Sequence, residues 1–424
     1  MCLHHLLRAW PVVVICLGST WATKAEPPIL DAESLRQVGY GVFWDSSLPS
    51  GNDPVFSAHL LDENLYVITK LGVIYAVQAD TGLLRWARQL DETVYRDRAP
   101  THVATPSDDG PVLFVTHSKV TAFDRYSGET FKELQLPFPA GGGAVADGFL
   151  MYVGSAGGEF YTLRWLCDPR CIPLTRAHVD VNGVITSQPI AAFGRIYFTT
   201  SVGEVYCVEP GGKVLRWAYA TGGEVSSGIQ VDDSGVYVAS TNRRLYVLDP
   251  DTGRRIRSYR FPGPLFDRPA VVQRTCYQYC PPDGLFAFDV DTRRRLWVRP
   301  DAREFVARAA ENLVLLTTTG DLMFAENQTG QVRGILDLPE DVIAVTNTRD
   351  NVLYLVGRDG GLLCAKPTGF DYLRRDTVTT ARARLGLSPR AVQATLAGLA
   401  TGPLTTGAAT AAAVDDPLRS KTGP

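Results

Sequence analysis

The chain has 424 residues, 45% of them hydrophobic and 21% charged, a balance that excludes a largely disordered polymer and leaves ample apolar surface for a core. Its formal net charge of -3 gives no electrostatic basis for nucleic-acid binding, because duplex binders present a basic face to the phosphates. Length alone would suggest two or three domains, but all-β repeat folds exceed the usual domain size, so the repeat count has to decide.

Residues 1–25 read as an export signal. Arg8 and two histidines precede the apolar run Pro11 to Gly18, and small residues follow at Thr23 and Ala25, after which cleavage is expected. The run is too short for a membrane span, which needs about 20 apolar residues. A periplasmic or extracellular protein with no membrane span is therefore expected. Cys16 follows Val13, Val14 and Ile15 rather than the small residues of a lipoprotein signal, which argues against lipidation.

Gly39 to Trp44 looks like the last strand of a repeat whose beginning lies elsewhere. The first full copy then runs Leu65-Tyr66-Val67, Gly72 to Val77, Asp80-Thr81-Gly82 and Trp86. Within it Val73, Tyr75 and Val77 fall on one face, the period of two that marks half-buried sheet. The same order returns from Ile196 to Trp217 and from Val236 to Gly253, and weaker copies begin near Leu113, Met151, Tyr277, Leu313 and Leu353. Equivalent turns lie about forty residues apart, the size of a four-stranded blade. Each Asp-x-Asp-Thr-Gly turn places a carboxylate where it can accept backbone amides and glycine where φ must be positive. The pattern predicts an all-β, eight-bladed β-propeller of four-stranded antiparallel blades over 39–367, seven if the weakest copy is discounted. The N-terminal strand is expected to complete the final blade, because ring closure leaves only short edges.

Beyond Pro367 the repeat stops. Residues 368–400 are expected to form an extension with a short helix, in which Ser388 caps Pro389 and Val392, Leu396 and Leu399 share a face. Residues 401–424, rich in Ala, Thr and Gly, are expected to be a disordered tail.

The order Tyr-Val, Gly-x-Leu/Val-Tyr-Ala/Val-x-Asp, x-Thr-Gly-x-x-x-Trp resembles the repeat of pyrroloquinoline-quinone-type (PQQ-like) propellers, across nearly all of 39–367. The resemblance implies that Trp86, Trp217 and Trp297 leave the last strand of a blade and dock on the next one. Phe131, Arg257 and Gly334 depart from that pattern, so their seams should be looser or filled differently. Enzymes of the family carry an axial calcium-quinone site and a disulfide between adjacent cysteines, and no two cysteines here are adjacent. Asp232, Asp233, Asp249, Asp251, Asp289 and Asp291 all fall at turns, where a structural role outweighs a metal-binding one. The chain thus resembles the shorter branch of the family, which includes the periplasmic scaffold subunit of the outer-membrane β-barrel assembly machine. That resemblance implies a monomeric, non-catalytic scaffold of the cell envelope, with no cofactor or metal. It would hold a protein partner through Leu90 to Thr101, Arg164 to Ile172 or Phe261 to Pro269. A quinone-dependent oxidoreductase with an axial site, or a ligand-sensing propeller, is the alternative.

The cysteine pairs Cys167 with Cys171 and Cys276 with Cys280 share one spacing, and in an oxidising compartment two local disulfides are the economical expectation. A shared zinc site would require the third and sixth blades to meet, which a closed ring forbids. Cys207 and Cys364 are expected to be buried in strands, and the six histidines do not cluster. Gly141-Gly142-Gly143 reads as an inter-blade loop, and Asn327-Gln328-Thr329 matches a glycosylation sequon within a repeat turn.

Overall fold

The computed structural model describes residues 29–368 except 93–97, 106–108, 149, 165–174, 186 and 213. The expected signal, C-terminal helix and tail lie outside the described residues. Within them the chain forms eight four-stranded antiparallel sheets. Blade 1 comprises Val55–Leu61, Asn64–Thr69, Val73–Gln78 and Leu84–Gln89. Blade 2 is Thr101–His102, Val112–Val115, Lys119–Phe123 and Thr130–Gln135; blade 3 is Ala140–Asp147, Leu150–Ser155, Glu159–Arg164 and Thr175–Asp180. Blade 4 runs through Ile190–Ala192, Arg195–Thr199, Glu204–Val208 and Leu215–Ala220, and blade 5 through Gln230–Asp232, Gly235–Ser240, Arg244–Leu248 and Arg255–Arg260. Blade 6 is Ala270–Val272, Thr275–Cys280, Gly284–Asp289 and Arg295–Arg299; blade 7 is Ala302–Ala309, Asn312–Thr317, Leu322–Glu326 and Val332–Leu336. Blade 8 takes Val342–Ala344, Leu353–Gly357 and Gly361–Pro367 from the end of the chain and Tyr40–Ser47 from its beginning.

That last pairing closes the ring. Tyr40 opposes Pro367 and Ser47 opposes Gly361, and the Tyr40 hydroxyl donates to the Asn351 carbonyl at 3.0 Å. The edge that a meander would expose at either terminus is thereby paired within the molecule. Ahead of this strand, helix Ala32–Gln37 is capped by Asp31, whose carboxylate accepts from the amides of Glu33 and Ser34, both at 2.9 Å. Its fully buried Leu35 packs beside Leu336 of blade 7 and Leu338 just beyond it.

The turns are built as their composition requires. Asp249 accepts from the amides of Asp251 and Thr252 at 3.0 and 2.8 Å, and Asp124 does so from Tyr126 and Ser127 at 3.0 and 2.7 Å. The core lies between neighbouring blades: Tyr197, Cys207 and Trp217 of blade 4 pack against Val231, Val236 and Leu248 of blade 5. The triple glycine is not a loop but part of the first strand of blade 3. A Cβ on Gly141 would stand 2.1 Å from the Ile185 carbonyl, so the glycine is set by close backbone approach.

Candidate functional site

In every blade the outermost strand carries one extra residue just before the position of the repeat tryptophan. Ala76 pairs with Trp86 while Val77 pairs with Leu84, and the equivalent register shift recurs in all eight sheets. Such a bulge re-aims the side chain beside it, and here it turns the indole onto the next blade. Trp86 donates to the Arg125 carbonyl at 3.1 Å, Trp217 to Pro250 at 3.0 Å and Trp297 to Asn327 at 2.6 Å. Trp44, in the ring-closing strand, donates to Ala79 at 2.9 Å and is a fourth member of the set. Its signal in the sequence is its place at the end of a last-strand segment.

Under each indole lies a glycine in the left-handed region, with φ of +71° at Gly82 and +68° at Gly128, Gly253 and Gly330. A Cβ there would stand 2.6, 2.5, 2.5 and 2.8 Å from the ring, respectively. Indole and glycine therefore form one device, each requiring the other.

Four blades lack the indole; in blade 3 the position is Ala177, and the other three departures have different outcomes. In blade 2 Ala122 pairs with Lys132, so Lys132 rather than Phe131 holds the indole position. In blade 7 the position is Gly334, and Val38 at the end of the N-terminal helix fills the space, 2.8 Å from where a Cβ would stand. Between blades 5 and 6 the space stays open. Val247 pairs with Arg257 at the indole position, and Arg293 replaces the glycine while keeping a left-handed φ of +60°. Arg257 lays its guanidinium over its neighbour Tyr259, 5.5 Å from the ring centroid, instead of filling the seam.

The result is a cavity of about 230 Å³ walled by Tyr237, Val247, Cys276, Phe288 and Val290 and rimmed by Arg257, Arg274 and Arg293. Tyr237, Val247, Val290 and Arg293 stand where Tyr197, Cys207, Pro250 and Gly253 surround Trp217 one seam earlier. At that filled seam the Pro250 carbonyl accepts from Trp217 and from the Tyr197 hydroxyl. At the open one Tyr237 pairs with Ser234 at 2.6 Å, and no donor among the described residues reaches the Val290 carbonyl. Arg274 is held by Asp291 and, at 3.0 Å, by Asp233.

A second recess of about 510 Å³ opens at the other end of the same seam, lined by Arg260, Phe261, Asp283, Phe286 and Arg295 among others. An aromatic ladder separates the two: Tyr259 to Phe288 at 4.3 Å and Phe261 to Phe286 at 4.8 Å. Together the recesses carry five arginines against two aspartates, a basic groove on a chain whose net charge is negative. Phe261 and Pro262 bring the Phe261 to Pro269 loop into it. Of the other two candidate loops, 93–97 and 165–172 lie outside the described residues.

Elsewhere a buried network of titratable groups joins neighbouring blades. Asp62, at the first turn of blade 1, takes His102 Nδ1 at 2.6 Å and Arg349 at 3.0 Å, with Arg125 at 3.6 Å. The Tyr66 hydroxyl bonds His102 Nε2 at 2.8 Å and receives Asn64 Nδ2 at 3.1 Å. Neutral His102 thus donates to Asp62 and accepts from Tyr66, and the network ties blades 8, 1 and 2 together. Burial pushes His102 down to about 4, against the upward pull of its Asp62 bond. In the unfolded chain histidine titrates near 6.5, so between these values only the unfolded chain takes up the proton. Stability contributed by neutral His102 is complete above pH 6.5 and is lost as pH falls towards 4, by at most about 1.4 kcal/mol per pH unit. Asp147, pushed up to about 7 by burial, works oppositely: its contribution is present at low pH and lost as pH rises through 7. The difference between wild type and His102→Gln in urea midpoints from pH 7 to 5 isolates the histidine. The variant should lose less stability on acidification, and identical slopes would remove this assignment.

The expected Cys276–Cys280 disulfide is not formed. Both thiols are free and buried, at either end of the single strand Thr275–Cys280. Four residues of extended chain separate their Cα atoms by about 13 Å, beyond the roughly 7 Å a disulfide spans. Cys167 and Cys171 lie outside the described residues, and Cys207 and Cys364 are free and buried. Asn327 of the sequon is fully buried and its side-chain oxygen accepts from the Tyr277 hydroxyl at 2.5 Å. Among the described residues no group of three or more His, Cys, Asp or Glu side chains is placed to hold a metal ion, and no helix is long and apolar enough to cross a membrane.

Residues 201–368 match the family model described as outer membrane protein assembly factor BamB. No curated protein matches the chain in sequence. Among solved structures, BamB from Moraxella catarrhalis is similar with a TM-score of 0.61 at 14% identity, covering 78% of this chain and 99% of that one. Sqt1 of Saccharomyces cerevisiae gives 0.59 at 10% identity, covering 76% and 100%, and the computationally designed protein Ika8 gives 0.59 at 13%, covering 75% and 98%. At these identities the likeness to solved structures shows the fold alone. The chain is an eight-bladed β-propeller that resembles BamB in fold and, over residues 201–368, in sequence.

Proposed function

We propose that the protein is an exported, non-catalytic scaffold of the cell envelope that holds a protein partner in the groove between blades 5 and 6. The observation that carries this reading is the groove itself. Four seams are closed by an indole over a glycine and one by Val38, whereas this one replaces both consensus residues with arginine and stays open. Departures from a repeat concentrate on the binding face of such proteins. The match of residues 201–368 to an outer-membrane assembly factor supports an envelope location and an interaction role.

The test is affinity capture from the native envelope with the full chain, comparing wild type with Arg260→Glu/Arg295→Glu. These exposed arginines reach solvent, so the variant should fold normally. Capture of the main partner is expected to fall at least fivefold, and undiminished capture would refute the groove as its seat. Dye reduction by the purified chain on addition of pyrroloquinoline quinone and calcium would overturn the non-catalytic reading.

A further inference from the structure

We propose that the partner enters this groove as an extended acidic segment and inserts one aromatic side chain into the cavity left between Arg257 and Arg293. The inference rests on the scaffold reading and adds the chemistry of what is held. Three observations point the same way.

First, the cavity is a vacated indole site. At the preceding seam the equivalent walls enclose Trp217, and the carbonyl equivalent to Val290 accepts its N–H at 3.0 Å. Arg293 carries a Cβ where Gly253 leaves room for the Trp217 ring, 2.5 Å away, so a ring from outside enters in a different pose and packs on the apolar walls of Tyr237, Val247 and Phe288. A cavity of about 150 Å³ already accommodates a benzene-sized ring, and this one is about 230 Å³. Secondly, both changes exclude an indole supplied by this chain. An indole at position 257 would occupy the site from within, and a Cβ at 293 stands where such an indole would lie, as the 2.5 Å approach at Gly253 shows. Arg293 accordingly tolerates a left-handed backbone, with φ of +60°, that arginine rarely adopts.

Thirdly, the rim selects the flanking residues. Arg257 and Arg293 border the cavity, and Arg260 and Arg295 border the second recess. Only Asp291 and Asp283 oppose them among the lining residues, and Asp291 is already engaged by Arg274. Carboxylates on either side of the inserted ring would meet unneutralised guanidinium groups, which favour bidentate pairing with carboxylates. From Arg257 to Phe261 the groove follows four strand residues, roughly 13 Å. The acidic positions should therefore extend three or four residues from the aromatic one along an extended backbone.

The test measures fluorescence polarisation of labelled peptides, rich in Asp and Glu with one central Trp, against the full chain. Peptides with central Ala, and basic peptides with central Trp, serve as comparisons. The decisive variant is R257W/R293G, which restores the indole-glycine pair and should raise the thermal midpoint while filling the cavity. Saturable binding of the acidic Trp peptide is expected. It should weaken at least tenfold with central Ala, at least tenfold in R257W/R293G, and steeply with salt in wild type but less so in R260E/R295E. Equal binding by the filled variant or by the Ala peptide would overturn aromatic insertion. Equal binding of the basic peptide, or none by wild type, would overturn the acidic-aromatic chemistry. These outcomes leave the scaffold reading to the envelope capture, which uses no peptide.

Discussion

Asp62→Ala is expected to lower stability by about 3–5 kcal/mol, the cost of removing one partner from a buried ion pair. The carboxylate is the shared acceptor for His102 and Arg349 and lies 3.6 Å from Arg125, whose side chain is 1% exposed. Its loss strands the positive charge of two blades around a cavity in a third. Asp62→Asn retains acceptors but not the charge, and should fall between alanine and wild type. Urea unfolding followed by tryptophan fluorescence measures both. A midpoint for Asp62→Ala within experimental error of wild type would show that the network contributes order without stability.

Trp86→Ala should cost a similar amount, about 3–5 kcal/mol, for loss of a large buried ring and the cavity it leaves. The indole is 5% exposed, lies 6.0 Å from Tyr66 and 5.7 Å from Phe123, and bonds the Arg125 carbonyl. That carbonyl also accepts from Asn64 at 3.2 Å, so the seam and the polar network share an atom. The double variant Trp86→Ala/Asp62→Ala is therefore expected to be non-additive. Strict additivity in a double-mutant cycle would separate the two systems. By contrast, substituting Arg257 with alanine should change stability by less than about 0.5 kcal/mol, the usual range for an exposed position. The comparison between equivalent positions 86 and 257 reads directly whether a seam is filled by its own chain.

The sequence by itself determined the secondary structure, the blade count and the way the ring closes. Each depends on residues close together in the chain: the alternation within Gly72 to Val77, the Asp249 carboxylate two and three residues from the amides it accepts, and the last-strand character of Gly39 to Trp44. A period of two and a turn with its glycine are local facts, and eight repetitions make them collectively decisive. Even here, errors arose where one residue of bulge shifts a strand, as Lys132 shows against Phe131, and where a glycine run serves close approach rather than a turn, as at Gly141.

Only the tertiary structure decided what fills each seam. Gly334 and Arg257 depart alike from the repeat, yet Val38 arrives from the N-terminal helix to cover one and none of the described residues covers the other. The Asp62 network likewise gathers positions 62, 102, 125 and 349, separated by up to 287 residues and invisible to any local pattern. Cys276 and Cys280 illustrate the converse, since short separation in sequence became long separation in space once the segment was strand. The physical reason is common to all three. Backbone conformation follows from neighbours along the chain, whereas an empty site is defined by side chains that fail to arrive from elsewhere.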